Sequence, residues 1–157
     1  MHFKSLITGF VAGIVIVAAL AWFAMPGLML QEHASPYGVD ETVERIRRNA
    51  VDQGWVVSGV RRLDESIRKH GGGDLPPVRL INVCQADHAH RILDEGDQRI
   101  VSVMMPCTIS VYEKGGETYI GTMNAGLMGR MFGGTVAEVM GRQVAAQQKR
   151  FIEFAGP

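Results

Sequence analysis

The sequence lacks the features that would point to a nucleic-acid partner. Its 16 basic residues are balanced by 16 acidic ones, and no basic run is longer than two residues. Proteins that bind phosphate backbones need a basic patch or stripe, so we expect no nucleic-acid partner. There is also no internal repeat and no low-complexity tail, which favours one ordinary domain over an array.

Patterns typical of common enzyme classes are missing as well. The two cysteines are far apart and form no C-x-x-C motif, so the spacing does not indicate a thioredoxin-type dithiol. No serine lies in a nucleophile-elbow pattern, because Ser58 and Ser110 fall on predicted strands and Ser35 precedes a proline. We therefore name no catalytic residue. Whether the protein is an enzyme stays open, and a non-enzymatic role is favoured.

An uncharged apolar segment dominates the first part of the chain. No residue from Leu6 to Met25 carries a charge, and a helix of that length spans roughly 30 Å, the thickness of a bilayer core. Lys4 precedes the segment and acidic residues follow it, which favours a cytoplasmic N-terminus. The expected organisation is a cytoplasmic N-terminus at 1–5, a transmembrane anchor at 6–27 and an extracytoplasmic, periplasmic domain at 28–157.

Two further features of this segment bear on its fate and its partners. Ala19-Leu20-Ala21 offers a cleavage site for a signal peptide, although the apolar run continues beyond it to Met25. Gly9 and Gly13 form a G-x-x-x-G pattern that permits close pairing of helices, although the composition of the segment also explains it. The expected partners are the membrane and either another membrane protein or a second copy of this chain.

The remaining chain predicts alternating short strands and helices. A capped, amphipathic pattern predicts a helix from Asp40 to Gly54. A Lys-Gly-Gly-Glu turn predicts a hairpin between the last two strands. The predicted strands are 28–35, 55–60, 78–84, 107–113 and 118–123, and the other predicted helices are 63–69, 86–93, 127–132 and 135–154.

Several segments together resemble a known family. They are Ser35-Pro36-Tyr37-Gly38, Gly54-Trp55, the Cys84 segment, MPCTISVYE (105–113) and MNAGLMGRMFGG (123–134). The resemblance covers roughly residues 29–153 and is to the family called domain of unknown function 302, in a cysteine-bearing, membrane-anchored branch. The resemblance implies an α+β domain with one antiparallel sheet, β-α-β-β-β-β-α order and helices on one face, similar to the TATA-binding-protein-like fold. The family has no established activity, so no catalytic residue is implied.

The sulfur-containing residues form the one candidate site. If strands 78–84 and 107–113 are antiparallel neighbours, Cys84 and Cys107 lie at the same edge of the sheet, where a disulfide or a metal bridge needs Cα atoms within about 7 Å. The hairpin should return Met123 to that edge. Met105, Met123 and His88 are the candidate secondary ligands. The resemblance leads us to expect Cys-x-Pro and an aromatic residue here, so His88 stands at a position that the family uses for packing.

Three interpretations of this cluster stay open. The cysteines form a structural disulfide, as expected outside the cytoplasm. They bind a soft ligand, such as copper(I), haem or a sulfur species. Alternatively, they are buried thiols with methionines filling gaps in the core. The preferred function is a membrane-anchored accessory or binding domain. The second is an interaction subunit of a membrane complex with a structural disulfide, and the third is a thiol-redox protein.

Overall fold

The structure, a computed structural model, describes residues 2–156, with side chains for residues 9–20, 22–23, 25 and 27–156. The first half contains α1 (His2–Met29), β1 (Leu30–Ser35), α2 (Val39–Asp52), β2 (Val56–Arg62), α3 (Leu63–Lys69) and β3 (Val78–Cys84). The second half contains α4 (Ala86–Leu93), a 3-10 helix (Gly96–Met104), β4 (Cys107–Lys114), β5 (Glu117–Met123), α5 (Ala125–Phe132), α6 (Gly134–Glu138), a π-helical segment (Val139–Val144) and α7 (Ala145–Phe151).

The strands form one antiparallel sheet in the order β1-β5-β4-β3-β2. Along β3 and β4, buried residues alternate with partly exposed ones, which is typical of an antiparallel sheet with one covered face. Gly115 and Gly116 have φ angles of 64° and 83°. A two-residue turn of type I′ requires positive φ at both positions, so these glycines determine the β4–β5 hairpin. The predicted α+β class and five-stranded antiparallel sheet are confirmed.

Helices cover only the inner face of this sheet. Ile46 from α2 and Phe151 from α7 are fully buried, and they belong to one core cluster with Ile81 and Ile109 of the central strands. Within residues 30–156, the opposite face, which we call the outer face, is bordered only by the end of the 3-10 helix, where Val103 and Met104 line a groove beside β4 and β5. The core therefore lies between the sheet and the helices α2 and α4–α7.

The C-terminal helix differs from its prediction. The sequence pattern predicted one helix over 135–154, whereas the structure has α6, a π-helical segment and α7. Val136, Met140 and Val144 of this region are buried in the core. The π-helical segment contains Gly141 and packs against α5. Such segments interrupt α-helices and are frequent at functional sites.

The prediction of a transmembrane anchor at 6–27 was wrong. α1 is 28 residues long, but no helix in the described part of the chain is both long enough and apolar enough to cross a membrane. A span requires about 20 consecutive, mainly apolar residues in one helix. The membrane-anchored periplasmic localisation depended on this anchor and was wrong with it. Met1 and the side chains of residues 2–8 lie outside the described residues, and with them the orientation argument for segment 1–5.

Candidate functional site

A small cavity lies where β3 ends and β4 begins, beneath α4 and the π-helical segment. Its volume is about 30 Å³, comparable with the space taken by one water molecule in a liquid. Trp55, Ile92 and Met140 contribute much of its apolar wall. Cys84 and Cys107 also line it, so the two cysteines share one enclosure.

The sheet register explains how the cysteines come together. Cys107 is paired with Val83, and Cys84 is the next residue along β3. Neighbouring residues on a strand normally point to opposite faces of the sheet. However, β3 and β4 both terminate here, and both cysteine side chains reach the same cavity. Both thiols are free and half-buried.

The electrostatics of the cavity keep Cys107 protonated. Burial raises the pKa of the Cys107 thiol to about 11, and the neighbouring Cys84 contributes to the shift in the same direction. Reactive cysteines have depressed pKa values, because a cation or a helix N-terminus stabilises the thiolate. Cys107 therefore lacks the environment of a catalytic nucleophile and becomes a thiolate only if something else replaces its proton.

Two of the three predicted secondary ligands also line the cavity, Met105 and His88. Met105 lies two residues before Cys107 and packs against the core. Its thioether is a soft, weakly polar group that tolerates an apolar environment. Cys84, Cys107, Met105 and His88 thus form one cluster, which we call the sulfur site.

The third predicted secondary ligand, Met123, is not in the sulfur site. It lines a groove on the outer face, together with Leu30 and Thr108. In the β4–β5 ladder Ser110 is paired with Gly121. Because the strands are antiparallel, Met123, two residues after Gly121, lies opposite Thr108, two residues before Ser110. Cys107 points to the inner face. The prediction that Met123 approaches Cys107 was wrong because alternation places the two side chains on opposite faces.

The orientation of His88 is set by a hydrogen-bond network. Gln147 Oε1 accepts a hydrogen bond from Trp55 Nε1 at 3.1 Å and lies 2.9 Å from His88 Nε2. The indole nitrogen can only donate, so the oxygen of the amide must face both rings, and a neutral His88 must carry its proton on Nε2. The His88 ring also packs edge-on against Trp55, with centroids 5.9 Å apart. This arrangement leaves Nδ1 as the imidazole nitrogen with a free lone pair.

Sequence reasoning missed the residues that hold this network. Trp55 was predicted only as part of the strand 55–60, and no role was predicted for Gln147. A polar residue on an otherwise apolar helix face is the signal that was available, because a buried amide needs hydrogen-bond partners. Gln85 was also missed; its side chain accepts a hydrogen bond from the His88 backbone and begins α4.

The sulfur site provides mainly soft ligands for a metal ion. It offers two thiols, one thioether and one imidazole nitrogen. Within residues 2–156 as described, no group of three or more His, Cys, Asp or Glu residues is arranged to hold a metal ion. The lining of the sulfur site contains no carboxylate, so it does not suit a hard cation, which requires several oxygen ligands. An ion that accepts two sulfur ligands is compatible with it.

The comparisons with known proteins agree with the fold. The sequence matches the family described as "Domain of unknown function DUF302" over residues 31–155. The crystal structure of an uncharacterized conserved DUF302 protein from Bacillus stearothermophilus is similar, with a TM-score of 0.71 and 22% identity. That match covers 80% of this chain and 97% of the other, and at such identity it shows the fold alone. A comparison with curated proteins finds no match.

Proposed function

The chain belongs to the DUF302 family, and on that premise we propose that it is a non-enzymatic binding domain, of a cysteine-bearing branch, that holds a soft metal ion at the sulfur site. Copper(I) is the ion whose preferences fit best, because it accepts low coordination numbers and thiolate or thioether ligands. Cys84 and Cys107 would be the main ligands. Met105 would be a secondary ligand through its thioether, while the His88 ring stays hydrogen-bonded to Gln147 at the wall of the site.

One observation carries the proposal: two free cysteines and a methionine thioether share a cavity of about 30 Å³. That volume admits a single ion. A haem does not fit, because pockets for molecules of comparable size occupy roughly 300–1,000 Å³.

We expect the full chain to bind one copper(I) ion in an anaerobic competition titration against a chromophoric copper(I) chelator. Cys107→Ser and Cys84→Ser should each lower the affinity by more than the roughly 100-fold that loss of a supporting residue costs. Met105→Leu should lower it by about tenfold. Met123→Leu is the matched control, because it makes the same substitution on the outer face and should bind like the wild type.

The titration has clear contrary outcomes. Unchanged copper(I) affinity in both serine variants would overturn the proposed function. Equal losses of copper(I) affinity in Met105→Leu and Met123→Leu would mean that both methionines affect binding through the stability of the fold and not as ligands. Circular dichroism of each variant before titration shows whether the fold is intact.

Copper(I) affinity should rise with pH. The pKa of Cys107 is about 11, so its thiol is protonated at neutral pH and must lose a proton when it binds the metal. Each proton released makes the apparent affinity about tenfold greater per pH unit below that pKa. Titrations between pH 6 and 9 measure this slope, and a pH-independent affinity would contradict thiolate binding by Cys107.

A second candidate is an interaction subunit in which Cys84 and Cys107 form a structural disulfide. It is supported by the adjacent strand positions of the two cysteines and their common cavity. A native mass spectrum recorded without reductant distinguishes the two candidates. A disulfide predicts a mass lower by two hydrogens, whereas metal binding predicts a copper adduct that disappears in Cys107→Ser. The third candidate, a thiol-redox protein, receives no support, because the raised pKa of Cys107 disfavours the nucleophilic thiolate.

A further inference from the structure

A second, larger cavity lies on the inner side of the edge strand β1, away from the sulfur site. It is a cleft of about 720 Å³ between β1, α5, α7 and the residues that follow α7. Pockets for small organic molecules usually measure roughly 300–1,000 Å³. Gly126 and Gly141 lie in its wall, and the absence of side chains there leaves room between the helices. We call it the β1 cleft.

Two buried polar side chains face the β1 cleft without partners. Thr122 of β5 and Gln148 of α7 are only 5% and 7% exposed, and both line the cleft. Neither side chain forms a hydrogen bond to another described residue. The polar atoms of Thr122 and Gln148 are not fully buried. Among the described residues, the side-chain atoms that are both buried and without a hydrogen bond are Gln53 Oε1 and Arg79 Nε. The polar atoms of Thr122 and Gln148 are therefore accessible, and on the side of the cleft they can form hydrogen bonds with a molecule bound there.

The rim of the β1 cleft is cationic. Arg130 of α5 and Lys149 of α7 lie in its lining, with Glu153 as the only acidic residue and His33 on the facing strand. Neither cation forms an ion pair with a described residue. An anion between Arg130 and Lys149 would gain charge-assisted hydrogen bonds from both.

We propose that the β1 cleft binds a small organic molecule bearing a carboxylate or phosphate group. The oxyanion lies between Arg130 and Lys149, where the guanidinium offers a two-pronged donor and the ammonium a point charge. The neutral remainder of the molecule reaches inward to Gln148 and Thr122, which supply one amide and one hydroxyl. This proposal does not depend on the sulfur site, because the two cavities share no lining residue.

The test uses two defined probes, citrate for carboxylates and glycerol 3-phosphate for phosphates. Each is titrated into the full chain by isothermal titration calorimetry at constant ionic strength. We expect saturable one-to-one binding of at least one probe. Arg130→Gln and Lys149→Gln should each weaken it by about tenfold or more. Gln148→Met, which keeps the length of the side chain and removes its amide, should weaken binding without removing charge.

Arg48→Gln is the matched control, because it removes an exposed positive charge from α2, outside the β1 cleft, and should bind like the wild type. If Arg48→Gln weakens binding as much as Arg130→Gln does, the effect is one of net charge and the proposal fails. It also fails if neither probe binds saturably, or if Arg130→Gln and Lys149→Gln both keep wild-type affinity. Binding of citrate alone, or of glycerol 3-phosphate alone, identifies the chemical class of the anion. Cys107→Ser should bind the probe normally, which separates this result from the copper titration.

Discussion

Asp64→Asn is expected to lower the free energy of unfolding by about 3–5 kcal/mol, the usual cost of removing one partner from a buried ion pair. Arg79 points into the core from β3 with a side chain only 9% exposed, and its Nη1 lies 2.5 Å from Oδ1 of Asp64, which is 13% exposed. The other acid near it, Asp40, is 80% exposed and 3.5 Å from Nε. Asp64 is therefore the only well-buried counter-charge of Arg79.

The uncompensated cation explains the size of this effect. In Asp64→Asn the guanidinium stays buried with an amide in place of a carboxylate, and Arg79 Nε already lacks a hydrogen-bond partner. Asp40 remains 3.5 Å from Nε, but it is 80% exposed and compensates the buried charge only weakly. Asp74→Asn provides the matched control, since Asp74 is 88% exposed and pairs with Arg68 at 3.8 Å. That change should alter stability by less than about 1 kcal/mol. Equal urea midpoints for the two variants would contradict the argument.

The same pair predicts how stability depends on pH. Burial tends to raise the pKa of Asp64, but hydrogen bonds from Arg79 and the Val78 backbone outweigh it, so the pKa lies below its usual value. The folded state thus binds this proton less readily than the unfolded chain, whose Asp pKa is about 3.9. The stabilisation that the ionised Asp64 contributes is complete at pH values above the unfolded pKa. It is lost as the pH falls through the lower pKa of Asp64 in the folded state. The stability difference between wild type and Asp64→Asn should be constant above about pH 5 and shrink below about pH 4.

Much of the domain was predictable from local sequence patterns. The strands at 78–84, 107–114 and 117–123 agree with prediction to within one residue at each end, because β-branched alternation and the Gly115-Gly116 turn are strong local signals. Cys84 and Cys107 lie at the same edge of the sheet, because antiparallel neighbours bring the end of one strand to the start of the other, and Met105 lines the same cavity. Whether they bind a metal stays a proposal.

The errors come from properties that local patterns do not encode. Which face Met123 occupies depends on the hairpin register, and a shift of one residue reverses every side chain. The network of His88, Trp55 and Gln147 joins three segments distant in sequence, so periodicity could not reveal it. No local sequence pattern links the polar residues of the β1 cleft, which lie on β1, β5, α5 and α7. Their convergence appears only when β1, α5 and α7 are brought together.

Gly129→Ala is expected to cost at least about 2 kcal/mol of stability, at the level of overpacking in a closely packed core. A Cβ built on Gly129 would lie 2.5 Å from the backbone nitrogen of Gly141 and 2.8 Å from its Cα. These are backbone atoms of the π-helical segment, so no flexible side chain can move aside. The crossing of α5 with that segment must widen instead.

Gly126→Ala is the matched control on the same helix. Its Cβ would meet no atom closer than 3.4 Å, and replacing a helical glycine by alanine usually gains up to about 1 kcal/mol. Urea unfolding should therefore show a lower free energy of unfolding for Gly129→Ala and no decrease for Gly126→Ala. Similar decreases in both variants would mean that the crossing is not tightly packed. Because this crossing positions α5 against the C-terminal helices, Gly129→Ala should also separate Arg130 from Lys149. If the β1 cleft holds an oxyanion between them, a folded Gly129→Ala chain should bind the probe more weakly than the wild type does, although the substitution removes no charge.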